Sequence, residues 1–591
     1  MISFILFSTL FIFLLSNNFK SISEKEEILI SNIITAFILS ISTIGIISIG
    51  LIFFEKARIP IFYFAFTSII LYIACGEFGK QNIRNFVKSI KLIIDIFLRN
   101  FKNIRFIIFL IFWLYFISFG PINHPDTITT YVGYPYQFFL QNKHFIDGGL
   151  HQGVLGLCDF ANLSFIQERN IWFIRPMQSL PIVLIVSIFL LRNTNRYLII
   201  AFLTCPVFIQ WLTIGKYLFL PDIGITITYL VWAKYKNRNT FLNLITILFI
   251  SISFKITCIM ISIPIGLHLA FEFFKNKQFF KDKSRLEFSR IFFLVFSILS
   301  LLAIFTYRAY LTGNPFYPVL NNFFLADNQQ IIDFENFLRG FMRGGGYPFN
   351  LFLTNDINFL GMIIGPATGF FLLSIPLLNI IRFKKKYLSI SELVPICQII
   401  LLLTFSQGRA DYFLSPIILI FIAKNHIMKE LFSFNNFFVF KIFTFKFISQ
   451  SLLLIQLFIF SSITLISGYQ TIYSTLDYES YMNRYAFNYE LTNTLNNYAK
   501  EPVMNLGNRT ALLFLNKDYI HEDRFQKCMN YDGKNNSTSY CTDILKANSV
   551  ISYGAQLNND QFKCAQYSAK STSRNPFNLK KRIFHICNKI E

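Results

Sequence analysis

The residues best placed to do chemistry form one short run, His124-Pro125-Asp126, just past an apolar segment that ends at Gly120-Pro121. Gly and Pro stop a helix, so Asp126 falls immediately beyond it. A carboxylate there could accept a proton from a hydroxyl as its oxygen attacks, or bind a divalent metal. The competing role is a helix N-cap, since 127–140 could be a short interfacial helix and Asp is a favoured cap. Tyr131, Tyr134 and Tyr136 follow, then His144, Asp147 and His151. The last three have the types and spacing of metal ligands, and equally of plain surface polar residues.

Further along, ionisable residues recur beside the ends of apolar runs. Lys216 and Asp222 flank Pro221, and Lys255 follows an apolar run. A lysine at the edge of a hydrocarbon span is costly unless it snorkels or pairs, so Lys255 either snorkels or meets an anion such as a lipid phosphate. Arg308 opens a polar stretch with Thr312-Gly313-Asn314-Pro315-Phe316-Tyr317-Pro318, whose prolines make a rigid turn. Arg339, Arg343 and Gly344-Gly345-Gly346 come next. The glycines suit a lid; no strand precedes them and no Lys-Ser/Thr follows, so they are not a nucleotide loop. Gln407, Arg409 and Asp411 share a short turn, where Arg409 could clamp a phosphate or pair with Asp411.

The elements that must position these residues are membrane helices. The chain has 591 residues, 54% hydrophobic and 18% aromatic. Its apolar runs approach the ~20 residues that span a hydrocarbon core, and helices satisfy their own backbone groups in lipid. The net charge of +22 lies in clusters between the runs. That pattern is topological, with Lys/Arg held at cytoplasmic helix ends, and it argues against nucleic-acid binding. Residues 1–16 have no basic n-region or small-residue cleavage site, so they read as a first membrane helix.

Placing every basic cluster in the cytoplasm gives about 14 spans. They are 2–18, 28–53, 59–78, 105–120, 176–191, 197–213, 217–233, 240–254, 256–273, 291–307, 357–381, 392–406, 411–424 and 447–468, with the N-terminus outside. Segments 83–101 and 428–446 read as amphipathic stretches on the inner surface. Two large loops, 120–175 and 308–356, fall outside, as does the tail. The domains expected are 1–104 (N-terminal helices and basic amphipathic segment), 105–468 (catalytic membrane domain) and 469–591 (a small α/β periplasmic domain).

Four cysteines, Cys528, Cys541, Cys564 and Cys587, lie in that tail. Four in a small extracytoplasmic domain suggest two disulfides, with three connectivities open. Zinc is the weaker alternative, because no C-x-x-C or histidine spacing supports it. Cys75, Cys205 and Cys258 sit in apolar runs as packing residues.

Together these features resemble the GT-C superfamily of integral membrane glycosyltransferases. That group has many helices, an acidic residue near the start of the first outer loop and often a soluble C-terminal domain. More narrowly, the chain is similar to a bacterial GT-C-like branch in Pro125-Asp126 with Tyr131, in Gly313-Asn314-Pro315-Phe316-Tyr317-Pro318, and in Arg409, in that order along roughly 104–411. It departs at Val132, where the branch has His, which moves any such role to His124. Three helices precede the loop-bearing one, against none in the simplest members, and Asp126 has no adjoining acid.

The resemblance implies transfer of a sugar from a polyprenyl-phosphate donor to a glycan, lipid or protein acceptor in the bacterial plasma membrane. Asp126 would be the general base and Asp222 a supporting acid. Lys216, Lys255 and Arg409 would hold the lipid phosphate, with His124, Tyr131, Arg308 and Asn314 also on the substrate. A divalent metal is the one cofactor left open. An O-antigen polymerase or ligase would instead carry its large loop late in the chain. A lipid or glycan transporter would show repeated halves and mid-membrane charges, and no repeat is seen. A non-catalytic scaffold would have lost an active Asp126.

Overall fold

The computed structural model describes residues 1–16, 26–74, 80–142, 150–204, 212, 215, 219–275, 288–324, 390–405, 414–423, 445–505, 510–520, 546–553, 561–570 and 581–590. They are mostly helical, with a small C-terminal sheet. The helices in chain order are α1 (Ile2–Ser16), α2 (Glu26–Phe53), α3 (Ile61–Ala74), α4 (Lys80–Ser118), α5 (Gly133–Gln141), α6 (Leu150–Gly153), α7 (Leu157–Phe160), α8 (Asn162–Gln167), α9 (Ile174–Leu191) and α10 (Arg196–Leu203). Next are α11 (Phe219–Tyr235), α12 (Arg238–Phe254), α13 (Cys258–Lys275), α14 (Phe288–Thr312), α15 (Asn321–Phe324), α16 (Ile390–Phe405), α17 (Leu414–Ala423), α18 (Phe445–Leu476), α19 (Tyr478–Tyr485) and α20 (Tyr489–Tyr498).

Among the described residues, six helices are long and apolar enough to cross a membrane: those over Glu26–Phe53, Ile90–Ser118, Ile171–Leu191, Cys258–Lys275, Ser289–Thr312 and Leu453–Leu476. Shorter apolar helices run over Ile2–Leu15, Ile61–Ala74, Arg238–Phe254 and Leu393–Phe405. α2 is the centre, packed on α1, α7, α9, α11 and α12. Peripheral α4, α14 and α18 leave Phe112, Leu302 and Phe458 exposed. Large apolar side chains in that position suit hydrocarbon rather than water.

Between apolar helices, polar side chains supply specific contacts. Asn243 of α12 donates to Asn32 of α2 at 2.8 Å, and Ser8 meets Ser40, and Ser42 meets Ser300, each at 3.0 Å. Such bonds contribute about 0.6 kcal/mol apiece between membrane helices.

Charge sorts the bundle's two ends. At one, buried Glu27 takes Arg192 at 2.8 Å and Lys234 at 2.6 Å, joining α2, α9 and α11. Lys236 pairs with Glu272 at 2.9 Å, and Arg99 with Glu26 at 3.3 Å, at the same end. The described residues of the segment 120–175 and of the C-terminal tail occupy the opposite end, the loop end.

The expected domain boundaries fall inside helices. α4 runs unbroken for 39 residues, so 83–101 is the first half of the helix that carries the membrane-length stretch rather than a separate surface element. Its residues keep forming helix through 104 because no Gly or Pro interrupts them before Gly120. Likewise α18 passes straight through 468. Segment 428–446 lies almost wholly outside the described residues.

The tail is mixed α/β. Its strands are β1 (Val503–Asn505), β2 (Tyr519–Ile520), β3 (Ser549–Tyr553), β4 (Phe562–Lys570) and β5 (Lys581–Lys589), ordered β2-β1-β3-β5-β4. β1 pairs in parallel with β2 and β3, and β5 runs antiparallel between β3 and β4. Strand alternation sends Val550, Met504, Phe562 and Cys587 into a small core on one face. Ile551, Phe584 and Ile586 face the other way, into the main core. A disulfide joins Cys564 to Cys587, directly opposite each other on β4 and β5. Cys528 and Cys541 lie outside the described residues.

Candidate functional site

The loop end is organised by Arg175, at the start of α9. Its side chain is buried, and it donates to the carbonyls of Ile117 at 2.9 Å, Pro121 at 2.8 Å and Leu212 at 3.3 Å. The last carbonyls of α4 have no partner within the helix, so a buried guanidinium supplies their donors. One residue thereby ties the helix end, the root of the first loop and the segment leading to Lys216.

Asp126 follows as the residue before a π-helical turn, Thr127–Tyr131. Turns of this kind are rare and recur at functional sites. The amides of Thr127 and Ile128 donate to the His124 carbonyl at 3.1 and 3.0 Å. Asp126 itself has helical angles, φ −61° and ψ −33°, and its carboxylate makes no capping bond. The N-cap role therefore does not describe it. His124, Asp126 and Tyr131 are each half-buried. The Tyr131 carbonyl accepts from Asn162 of α8 at 3.0 Å, which holds the π turn against the rest of the loop.

Gly215 brings a distant segment to this turn. Its φ of +77° is one that glycine adopts without strain. A β-carbon there would stand 3.3 Å from Thr127 Cγ2 and 3.4 Å from Arg175 Cγ. The chain thus passes beside the residue after Asp126 immediately before Lys216, which itself lies outside the described residues.

A second group of polar residues is buried deeper. Asp222 is in the first turn of α11 and is 7% exposed. Cys258 Sγ, at the start of α13, approaches its Oδ1 at 3.8 Å. Lys255 ends α12 in an extended conformation, its carbonyl accepting from the Cys258 amide at 3.0 Å. Cys258 therefore lies within the fields of both Asp222 and Lys255. Thr226, one turn after Asp222, bonds Ser415 of α17 at 2.9 Å. Arg409 and Asp411, shortly before Ser415 in sequence, lie outside the described residues.

The loop itself dips into the same place. Gly156 packs so closely on α12 that a β-carbon would lie 1.8 Å from the Phe254 carbonyl oxygen. Its amide donates to Asp159 Oδ2 at 2.8 Å, a carboxylate reaching back to the start of α7. Cys158 Sγ contacts the Phe254 carbonyl at 3.6 Å. Burial pushes the Cys158 thiol well up, with the Asp159 charge adding to it.

Arg308 of α14 closes the group. It is 1% exposed and donates from Nη2 to the Leu155 carbonyl at 3.2 Å. Asp159 lies within its electrostatic reach. Its Nε and Nη1 are buried without a hydrogen-bond partner among the described residues, and so are both polar atoms of the Gln152 side chain. Tyr307 donates its hydroxyl to the Gln152 carbonyl at 3.1 Å. Each unmet buried donor or acceptor costs roughly 1–3 kcal/mol, more on a charged group. Donors held in this state are well suited to an oxyanion.

The sequence-predicted residues fall into two sets. Asp222, Lys255 and Arg308 are gathered around the segment Gln152 to Phe160. His124, Asp126 and Tyr131 stand at the loop's mouth. Asn314 belongs to neither. Its Nδ2 donates to the Val319 carbonyl at 2.7 Å and to Asn321 Oδ1 at 2.8 Å, while its Oδ1 accepts from the Phe316 amide at 2.8 Å. Its polar atoms hold the Gly313–Pro318 turn together. Arg339, Arg343, the glycine run 344–346, His144 and Asp147 lie outside the described residues, as does the His151 side chain. No group of three or more His, Cys, Asp or Glu able to hold a metal occurs among the described residues.

Sequence reasoning missed Arg175, Asp159 and Gln152. Only Asp159 had a local signal, the Gly-x-x-Asp spacing of a helix start. The others owe their role to burial, which a single sequence does not display.

The C-terminal domain covers the loop. Asn123 donates to the Tyr481 hydroxyl at 2.9 Å, and the Phe487 amide donates to the Asn123 carbonyl at 3.4 Å. Gln137 donates to the carbonyls of Leu512 and Leu515, both at 2.8 Å. The rings of Trp172 and Tyr478 lie 5.6 Å apart. No protein-family model, curated protein or solved structure matches the chain.

Proposed function

We propose that this chain is an integral membrane glycosyltransferase of GT-C type. In this reading it moves a sugar from a polyprenyl-phosphate carrier to a glycan, lipid or protein acceptor at the extracytoplasmic face of a bacterial plasma membrane. Fourteen spans, with the loop end and the tail outside, complete the arrangement. The observation that carries the proposal is the buried Arg308 guanidinium, with donors unmet among the described residues and Asp159 in electrostatic reach, in a bundle whose helices suit lipid. A buried cation whose N–H groups are unmet among the described residues is suited to the phosphate of a lipid carrier.

The chemistry is a displacement at the anomeric carbon. The acceptor hydroxyl gives its proton to the Asp126 carboxylate as its oxygen bonds to the sugar. The bond from the anomeric carbon to the carrier phosphate breaks, and polyprenyl phosphate leaves with the electron pair. Arg308 and Lys255, with Lys216 and Arg409, stabilise the charge on that phosphate. Attack from the face opposite the leaving group inverts the anomeric configuration.

The test is transfer of radiolabelled sugar from a panel of polyprenyl-phosphate donors in proteoliposomes, comparing wild type with Asp126→Asn at matched folding. Loss of about a hundredfold or more in the variant is expected for removal of a general base. Equal transfer by both would take the base role from Asp126. No transfer from any donor would remove the glycosyltransferase reading itself.

A further inference from the structure

A second site opens where the last membrane-length helix meets the C-terminal domain. A cavity of about 600 Å³ is lined by Tyr473, Ser480, Asn483, Arg484, Glu490 and Lys570. These come from α18, α19, α20 and β4, so the cavity exists only once the domain has folded against the helix. We propose that it binds an acidic sugar unit, one bearing a carboxylate, of the acceptor glycan. This rests on the glycosyltransferase reading for its role, though not for its chemistry.

Three features argue for that ligand class. The first is charge: two cations, Arg484 and Lys570, face one carboxylate, Glu490. Glu490 is partly engaged already, since its Oε2 accepts the Lys570 amide at 3.2 Å. The guanidinium of Arg484 lies over the Tyr485 ring at 5.4 Å. Stacking uses its flat face and leaves the N–H edges for a planar or tetrahedral oxyanion.

The second feature is the uncharged lining. A hydroxyl, a carboxamide and a phenol both donate and accept, which matches sugar hydroxyls. Tyr473 also belongs to an aromatic set, with its ring 5.9 Å from Tyr469, 6.2 Å from Tyr481 and 6.4 Å from Tyr485. The third feature is place. Tyr473 is in the last turn of a helix apolar enough to span, and Tyr481 of the same aromatic set bonds Asn123, three residues before Asp126. A glycan held here would lie along the domain that covers the loop.

The experiment uses the full chain in nanodiscs of uncharged lipid and measures binding by calorimetry. The probes are trigalacturonate, maltotriose as its neutral counterpart, inorganic phosphate, and nanodiscs containing phosphatidylglycerol. Trigalacturonate should bind, maltotriose at least tenfold more weakly. Arg484→Gln and Lys570→Gln should each weaken trigalacturonate by about tenfold, the loss expected for one charged hydrogen bond. Added salt should weaken it further. Each variant's melting temperature is checked first; if one fails to fold, Ser480→Ala and Asn483→Ala serve instead. Equal binding of the acidic and neutral sugars, or variants that bind like wild type, would overturn the proposal. So would a response to phosphatidylglycerol or phosphate with none to trigalacturonate, which would make this a lipid-headgroup or free-anion site. Because binding is read without transfer, the site can stand when the glycosyltransferase reading fails, and the reverse.

Discussion

Asn123 and Tyr481 are 358 positions apart and joined by a 2.9 Å hydrogen bond, Nδ2 to Oη. It ties the root of the Asp126 loop to the first helix of the C-terminal domain. Burial pushes the Tyr481 hydroxyl up to about 12, while the Arg175 charge and the bond to Asn123 hold it back.

That shift has a pH signature. Tyr481 is held neutral in the folded protein, so its contribution is fully present below its ordinary value of 10.0 and is lost as pH rises toward about 12. Melting temperature in detergent should therefore fall between those limits. Tyr481→Phe should flatten the fall and cost about 1 kcal/mol at neutral pH. An unchanged alkaline profile in Tyr481→Phe would show that other groups carry it.

Arg308 should trade stability for activity. A buried guanidinium with unmet donors weighs against the empty protein, so Arg308→Met should fold at least as stably, by up to about 1–3 kcal/mol. On the glycosyltransferase proposal, sugar transfer by that variant should fall about a hundredfold or more. A variant both less stable and fully active would make Arg308 a structural residue.

The opposite end of the bundle gives a control. Glu27→Gln leaves Arg192 without its carboxylate and loosens Lys234, at a cost near 3 kcal/mol if the site stays dry. Transfer per folded molecule should not change. A selective loss of transfer would mean that this ion cluster is coupled to the loop end.

Gly156→Ala forces a β-carbon to 1.8 Å from the Phe254 carbonyl oxygen, a backbone atom that cannot step aside. The expected cost exceeds about 3 kcal/mol, seen as lost expression or a large drop in melting temperature. Cys158, buried two residues away, should resist maleimide in the folded protein and react after denaturation. Rapid labelling in the native state would mean this segment opens.

What the sequence disclosed was mainly what periodicity and charge encode. Long Ile/Phe runs and intervening Lys/Arg clusters were enough to expect a membrane-helical bundle, and the compositional shift after α18 was enough to expect an α/β tail. Asp222 and Lys255 were identified by type and by position beside apolar runs, and they do meet at Cys258. The failures have a common cause. Nothing local told that α4 continues through 104, since an amphipathic helix and a spanning helix can share one axis. Asn314 looked like a ligand because it is polar, and folding uses it to hold its own turn. Arg175 and Asp159 looked ordinary until burial set the demands on their charges.

The embrace of Gly156 by α12 decides what kind of loop this is. With its amide on Asp159 and its backbone against the Phe254 carbonyl, residues 156–159 form a wedge, not a flap. A flap swings while the scaffold stays still; a wedge moves only with what it is driven into. Phe254 is the residue before Lys255, so displacing Asp159 must displace the lysine's backbone as well. Acid and cation, contributed by a loop and a helix, are joined through one backbone contact, and a shift of the wedge changes the field that Asp159 sets at Arg308.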